Sequence, residues 1–366
     1  MRWQARALLA LAVALGSLLA PAALAGRRQV NVYNWADFIG SDTIERFERS
    51  TGIKVVYDTY DSEETAETKL MAGGSGYDVV VSSSEYFSRA IKAGVYAPLD
   101  RRLLPGWRHL SAHALQIIAG ADPGNRYAIP YLHSINGFAY NIDMIRARLP
   151  QAPVDSLAMI FDPQVVSKFA DCGVTFLDSP EDMLQLALNY LHLDPNSTRP
   201  ADYLAAEQLI RRVRPYIRMF DSSAYLNALA NAEQCLGVSW SSDYAVSMAR
   251  ARAAGVTVKL AFTVPKEGAN RSYSALLIPD GAPHPAEAYA FLNFLLQPAV
   301  IAAVTNDIYY GNDNADADAL VAPEILADPT LYPTAAMEAR LYASAEAGLE
   351  LERLRTRTWT RIKTDH

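Results

Sequence analysis

The sequence predicts an α/β protein folded as two lobes with a cleft between them. Three observations carry this. From Val30 to Gly94 short apolar runs suited to strands alternate with amphipathic helical stretches, the β-α-β-α-β order of a parallel sheet. About 340 residues remain once an N-terminal leader is set aside, more than one core usually holds. Extended apolar segments at 127–140 and 256–264 read as strands that leave the first lobe and return to it. The expected division is a leader over 1–25, a first lobe of 26–131 with 256–304, and a second lobe of 132–255 with 305–366.

The leader has a basic start (Arg2, Arg6), an apolar run from Ala7 to Leu19, a break at Pro21 and a small-x-small site at Ala23-Leu24-Ala25. The run is too short to span a membrane. Cleavage after Ala25 and export are expected. No Cys follows the site, which argues against a lipid anchor. The formal charge of the 366-residue chain is -7, and loss of Arg2 and Arg6 takes it to -9. An acidic chain is a poor nucleic-acid binder and suits a receptor for cations. In an exported protein the two cysteines, Cys172 and Cys235, read as one disulfide rather than two buried thiols. Closing that loop is worth ~4 kcal/mol in the chain-entropy model.

The first strand opens at Val30 and stops at a turn where Trp35, Asp37 and Phe38 arrive together. Ser41–Ser50 is a short helix with Asp42 and Glu45 as a capping box and Gly52 as its stop. Ile53–Tyr57 is the next strand. Asp61–Ala72 is a helix whose acidic start suits the positive helix end. Tyr77–Val81 is apolar enough to be covered on both faces, and Ser82-Ser83-Ser84 follow it. Pro180-Glu181-Asp182 opens a helix over Met183–Leu191. Gln234–Ser239 is a strand, and Trp240-Ser241-Ser242-Asp243 turns it into a helix over Tyr244–Ala254. The tail from Thr334 reads as helical, with a basic end (Arg353 to Arg361) taken as a solvated face.

Little here suits catalysis. The six histidines are scattered, none paired at metal-ligand spacing. No G-x-S-x-G elbow, G-x-G-x-x-G or phosphate loop is present. What recurs is an aromatic with an acid at a strand-to-helix turn: Trp35/Asp37/Phe38, Trp240/Asp243, and in part Tyr309/Tyr310 with Asp313. Each alone is better explained by core packing. Together they suit one organic cation, because rings offer π-faces and carboxylates offer charge.

The text Y-N-W-A-D-F-I (33–39), T-G-I-K-V-V-Y-D (51–58), D-V-V-V-S-S (78–83), C-G-V-T-F-L-D-S-P-E (172–181), P-K-E-G-A (265–269) and R-T-R-T-W-T (355–360) closely resembles the bacterial periplasmic putrescine- and spermidine-binding proteins, the receptors of polyamine ABC importers. The resemblance runs in order along nearly the whole mature chain. It implies the type II two-lobed periplasmic binding fold, the disulfide, no enzyme activity, no cofactor and no metal. It implies as partners a polyamine and the permease and ATPase subunits of a membrane transporter, with the receptor a monomer in the periplasm. A putrescine-like diamine is the expected ligand; agmatine, cadaverine or spermidine, or a sensor role toward a membrane receptor, are the alternatives.

Carried over by position, Trp35 and Trp240 resemble walls of an aromatic box, and Phe38 stands where the family has Tyr. Ser83, Asp37, Asp243 and Tyr310 match ligand-contacting residues, and Asp182 stands where the family has Glu. Two positions depart. Ala36 replaces a Ser. Ser274 falls where the putrescine receptor has a second ammonium-binding Asp, which is expected to shift specificity within the amine class. Tyr273, His133 and Glu63 or Glu64 are the residues expected to reshape that end.

Overall fold

The computed structural model describes residues 28–60, 62–345 and 347–364; the expected leader and its cleavage point after Ala25 lie outside the described residues. In chain order the strands are β1 (Gln29–Trp35), β2 (Lys54–Tyr60), β3 (Val79–Ser83), β4 (Ile129–Asn141), β5 (Val174–Phe176), β6 (Met219–Phe220), β7 (Leu236–Trp240), β8 (Leu260–Thr263), β9 (Ala269–Leu277), β10 (Gly311–Asn312) and β11 (Leu341–Tyr342). The helices that bear on the cleft are α1 (Thr43–Thr51), α2 (Glu63–Met71), α3 (Ser84–Lys92), α4 (Pro180–Tyr190), α5 (Asp243–Ala253) and α6 (Leu349–Thr364).

β1 lies parallel between β2 and β3, as the alternation of helices and strands requires. The run Val79-Val80-Val81 is buried on both faces, with Val79 and Val81 in one core and Val80 in another. α1 ends at Gly52, whose φ of 69° supplies the left-handed cap that a side chain would resist. The expected cap at its start is absent: the Asp42 side chain makes no cap bond and lies 3.7 Å from Arg46.

β4 organises the rest. Ile129 to Ile135 pair antiparallel with β9, and Asn136 to Tyr140 pair antiparallel with β7. The strand therefore belongs to two sheets in turn. On one side, β3, Phe47, Ile129, Phe291 and Ile301 build the first-lobe core. On the other, Phe138, Phe176, Leu184, Tyr203, Val238 and Trp359 build the second. β8 crosses close against β4 at Gly137, where a Cβ would stand 2.1 Å from the Thr263 carbonyl, so only glycine fits. Cys172 and Cys235 are disulfide-bonded across 63 residues within the second lobe.

Two segments fall in the lobe opposite to expectation. Residues 256–264 pack in the second: Val258 and Leu260 join its core and β8 pairs with β4 from Phe138 to Asn141. β9 is the strand that returns. Residues 305–332 pack in the first, where Ala317, Val321, Ile325 and Leu331 are core and β10 pairs with β4 at Leu132 and His133. The tail crosses again at β11, which pairs with β9, and α6 then docks on the second lobe. The basic end is a solvated face only in part: Arg353 and Arg357 are exposed, and Arg355 is not. Arg355 is 2 % exposed and bonds Glu181 at 3.0 Å, and Arg361 bonds Glu207 at 2.6 Å.

Candidate functional site

The turn after β1 carries four of the expected residues. Trp35 is half-buried, its ring 4.6 Å from that of Tyr60. Ala36 and Asp37 are exposed. Asp37 has a left-handed φ of 56°, which turns the chain sharply and puts its carboxylate on the rim. There Arg250 Nη2, from α5 of the opposite lobe, donates to Oδ2 at 3.2 Å. Phe38 is buried and meets Tyr310 edge-on at 4.6 Å. Tyr310 follows Tyr309, whose φ of 60° ends the helix Pro298–Ile308.

Tyr310 reaches across to Asp243. Its hydroxyl donates to Asp243 Oδ1 at 3.5 Å, while the Tyr225 hydroxyl donates to Oδ2. Asp243 opens α5, immediately past β7 and Trp240. It is 6 % exposed. Burial pushes its carboxyl up to about 7, against the Trp240 backbone, the Tyr310 hydroxyl and the Arg250 charge, which all favour the anion.

A second group of acids gathers around the ends of β3 and α4. Ser83 and Ser274 are register partners on β3 and β9. The Ser83 amide and hydroxyl both donate to Glu63 Oε1, at 2.7 and 2.8 Å, and the Ser82 hydroxyl donates to Oε2 at 3.1 Å. Burial pushes Glu63 up to about 7 despite these bonds. Asp182, in the first turn of α4, accepts from Asn136 Nδ2 at 2.5 Å, and burial raises it. Burial, with the charges of Asp182 and Glu63, pushes Glu85 up to about 7. Burial likewise pushes Glu181 up to about 8, with Arg355 opposing. Among the described residues no group of histidine, cysteine or acid side chains is arranged to hold a metal ion.

The expected residues are thus brought to two places. Trp35, Ala36, Asp37, Phe38, Trp240, Asp243 and Tyr310 border one, and Ser83, Asp182 and Ser274 the other. Asp313 joins neither: it bonds His133 Nδ1 at 2.9 Å inside the first lobe, and His133 Nε2 meets the Leu331 carbonyl at 3.0 Å. Tyr273 points to the opposite face of β9 from Ser274 and is 1 % exposed. His133 and Tyr273 therefore do not shape the cleft, whereas Glu63 lies against Ser83. Tyr225, Asn136, Arg250 and Glu85 were not singled out from the sequence. None sits in a motif, and long-range packing alone brings them here.

A sheet shared by two lobes, with rings and acids facing each other where those lobes meet, defines the class of two-lobed solute receptors. Residues 42–334 match the bacterial extracellular solute-binding protein family, and the chain belongs to it. The putrescine-binding periplasmic protein PotF of Escherichia coli is 42 % identical over 356 residues, which cover 97 % of this chain and 95 % of that protein. The putrescine/agmatine-binding protein of Pseudomonas aeruginosa is also 42 % identical, over 357 residues and 97 % of each chain. Among solved structures, a putative spermidine/putrescine ABC transporter protein from Listeria monocytogenes superposes with a TM-score of 0.82 at 26 % identity, covering 93 % of this chain and 100 % of that one. These relatives are binding proteins of transport systems, not enzymes.

Proposed function

We propose that this chain is the periplasmic receptor of a polyamine importer, and that it takes a putrescine-like diamine between its lobes. The observation that carries the reading is Asp243: a buried carboxylate held by two tyrosine hydroxyls from different lobes, beside Trp240, at a junction its own charge makes costly to leave empty. An ammonium placed there supplies the missing countercharge. The indole of Trp240, with Trp35 and Phe38, covers the methylenes and adds cation–π attraction. Ser83, Ser274 and Asp182 border the far end, and Ala36 and Asp37 the rim. Closure excludes water and strengthens each charged contact, and the closed, monomeric form is what the membrane permease and its ATPase subunits read. No bond is made or broken, and no cofactor takes part.

The test is calorimetric titration of the mature protein, unfolded and refolded to strip carried ligand, with putrescine, cadaverine, agmatine, spermidine and spermine. Micromolar or tighter binding of at least one is expected. Silence across the panel ends the amine reading. The putrescine/agmatine-binding relative makes agmatine the second compound to watch.

A further inference from the structure

We propose that Glu63 and Glu85 of the first lobe, together with Asp182 of the second, form the subsite for the ligand's second cationic group, in place of a carboxylate at position 274. This rests on the polyamine reading and names the half of the site that the reading leaves without a charge.

Position 274 is a serine, 8 % exposed, with no charge to offer. Its register partner across the strands is Ser83. Ser83 gives both its amide and its hydroxyl to one oxygen of Glu63. The carboxylate nearest to position 274 through the sheet is thus Glu63, carried on α2 and only 5 % exposed. Glu85 comes from the first turn of α3, directly after Ser83 and Ser84. Asp182 comes from the opposite lobe, in the first turn of α4. Glu85 feels the charges of both Asp182 and Glu63. Acids from three helices of two lobes therefore lie near enough to feel one another's charge.

Two unsatisfied atoms point to a missing ligand there. Glu85 Oε2 is buried with no hydrogen-bond partner among the described residues. Asn136 is fully buried; its amide nitrogen is spent on Asp182, and its amide oxygen beside that contact has no partner either. Buried acceptors are normally paired. A group with several N–H donors and a positive charge satisfies both oxygens and relieves the repulsion among the acids in one step. An ammonium or guanidinium has that chemistry. An anion is repelled by it, and a neutral solute leaves the acids unneutralised.

The subsite also explains how a serine is tolerated at 274: the charge has moved to the neighbouring strand's partner rather than vanished. That supplies a compensation test that a structural role for Glu63 does not pass. Titrations at pH 8 would use putrescine and, as a control lacking the second ammonium, n-butylamine. Glu63→Gln and Glu85→Gln are each expected to weaken putrescine about tenfold while leaving n-butylamine within about twofold. Adding Ser274→Asp to Glu63→Gln is expected to recover most of the lost affinity, since the charge returns one strand away. Equal losses for both amines, or no recovery in the double variant with circular dichroism unchanged, overturns the subsite. If the unmodified receptor binds no amine at all, the polyamine reading itself fails, and the two failures are told apart by that single titration.

Discussion

Arg250 and Asp37 form an ion pair that joins the two lobes at the rim of the cleft, Nη2 to Oδ2 at 3.2 Å. Asp37 is exposed and Arg250 stands at the edge of exposure, side-chain accessibilities of 84 % and 36 %. An exposed pair contributes little to stability but acts only when the lobes meet. Asp37→Asn and Arg250→Gln are each expected to leave the melting temperature within about 2 °C. Each is expected to raise the ligand off-rate up to about fivefold, with the difference from the unmodified receptor vanishing at high salt. Stopped-flow release at two ionic strengths reads this; a salt-independent loss means the pair is no latch.

Asp243→Asn keeps the shape of a carboxylate between Tyr225 and Tyr310 and removes its charge. Loss of a charge-assisted contact to an ammonium predicts about ten- to a hundredfold weaker putrescine binding. The empty protein should gain at pH 8, because the buried carboxyl of Asp243, pushed up to about 7, is ionised there at a cost. A rise in melting temperature of about 2–5 °C for the empty variant, alongside weaker binding, is the expected pair of results. Lower stability with unchanged affinity places Asp243 in the scaffold instead.

Acidity should weaken binding, and the sign follows from the direction of the shifts. Asp243, Glu63 and Glu85 each lie raised to about 7 in the empty protein. A bound cation needs them ionised, so protons compete with ligand below that value. Between pH 8 and pH 6 affinity is expected to fall by about tenfold for each carboxylate that must lose a proton. For folding the same shifts act in the other direction. A carboxyl raised on folding contributes stability that is full below its unfolded value and lost as pH rises through about 7. The empty receptor should melt lower at pH 8 than at pH 5, and saturating ligand should flatten that slope. Affinity that rises toward pH 6 contradicts the carboxylate assignment.

Arg355 is buried against Glu181 and Tyr203. Arg355→Met leaves the Glu181 carboxyl, which burial already pushes up to about 8, protonated and without its partner in the interior, and is expected to cost about 1–3 kcal/mol in urea unfolding at pH 7. Adding Glu181→Gln should change this little, because the carboxyl is already uncharged there. If the single variant costs under about 1 kcal/mol, the pair is an incidental contact of α6.

The first lobe was legible because its strands and helices are local and periodic: β1 to α3 follow from alternation, glycine stops and the Val79–Val81 run. Trp35, Asp37 and Phe38 could be read as one turn because they are neighbours in sequence. Glu85 and Asn136 could not, since their meaning lies in the charge and the hydrogen bond that Asp182 brings from a helix far along the chain. The lobe boundary near 256 was misplaced for a related reason. β8 and β9 both read as strands, and only their pairing with different halves of β4 tells which one stays and which one crosses. Asp313 misled in the other direction, as an acid near tyrosines whose partner is the buried His133.

The three passages of the chain between lobes lie side by side: Ile135 of β4 pairs with Arg271 of β9, and Leu341 and Tyr342 of β11 pair with Ala269 and Asn270 of the same strand. The waist is thus a hydrogen-bonded ribbon three strands wide. A ribbon flexes easily out of its plane, whereas swivelling or sliding would break backbone hydrogen bonds. The lobes are left with essentially one soft coordinate. Closure along that coordinate gives a docking partner a lobe pose to recognise without touching the cargo itself.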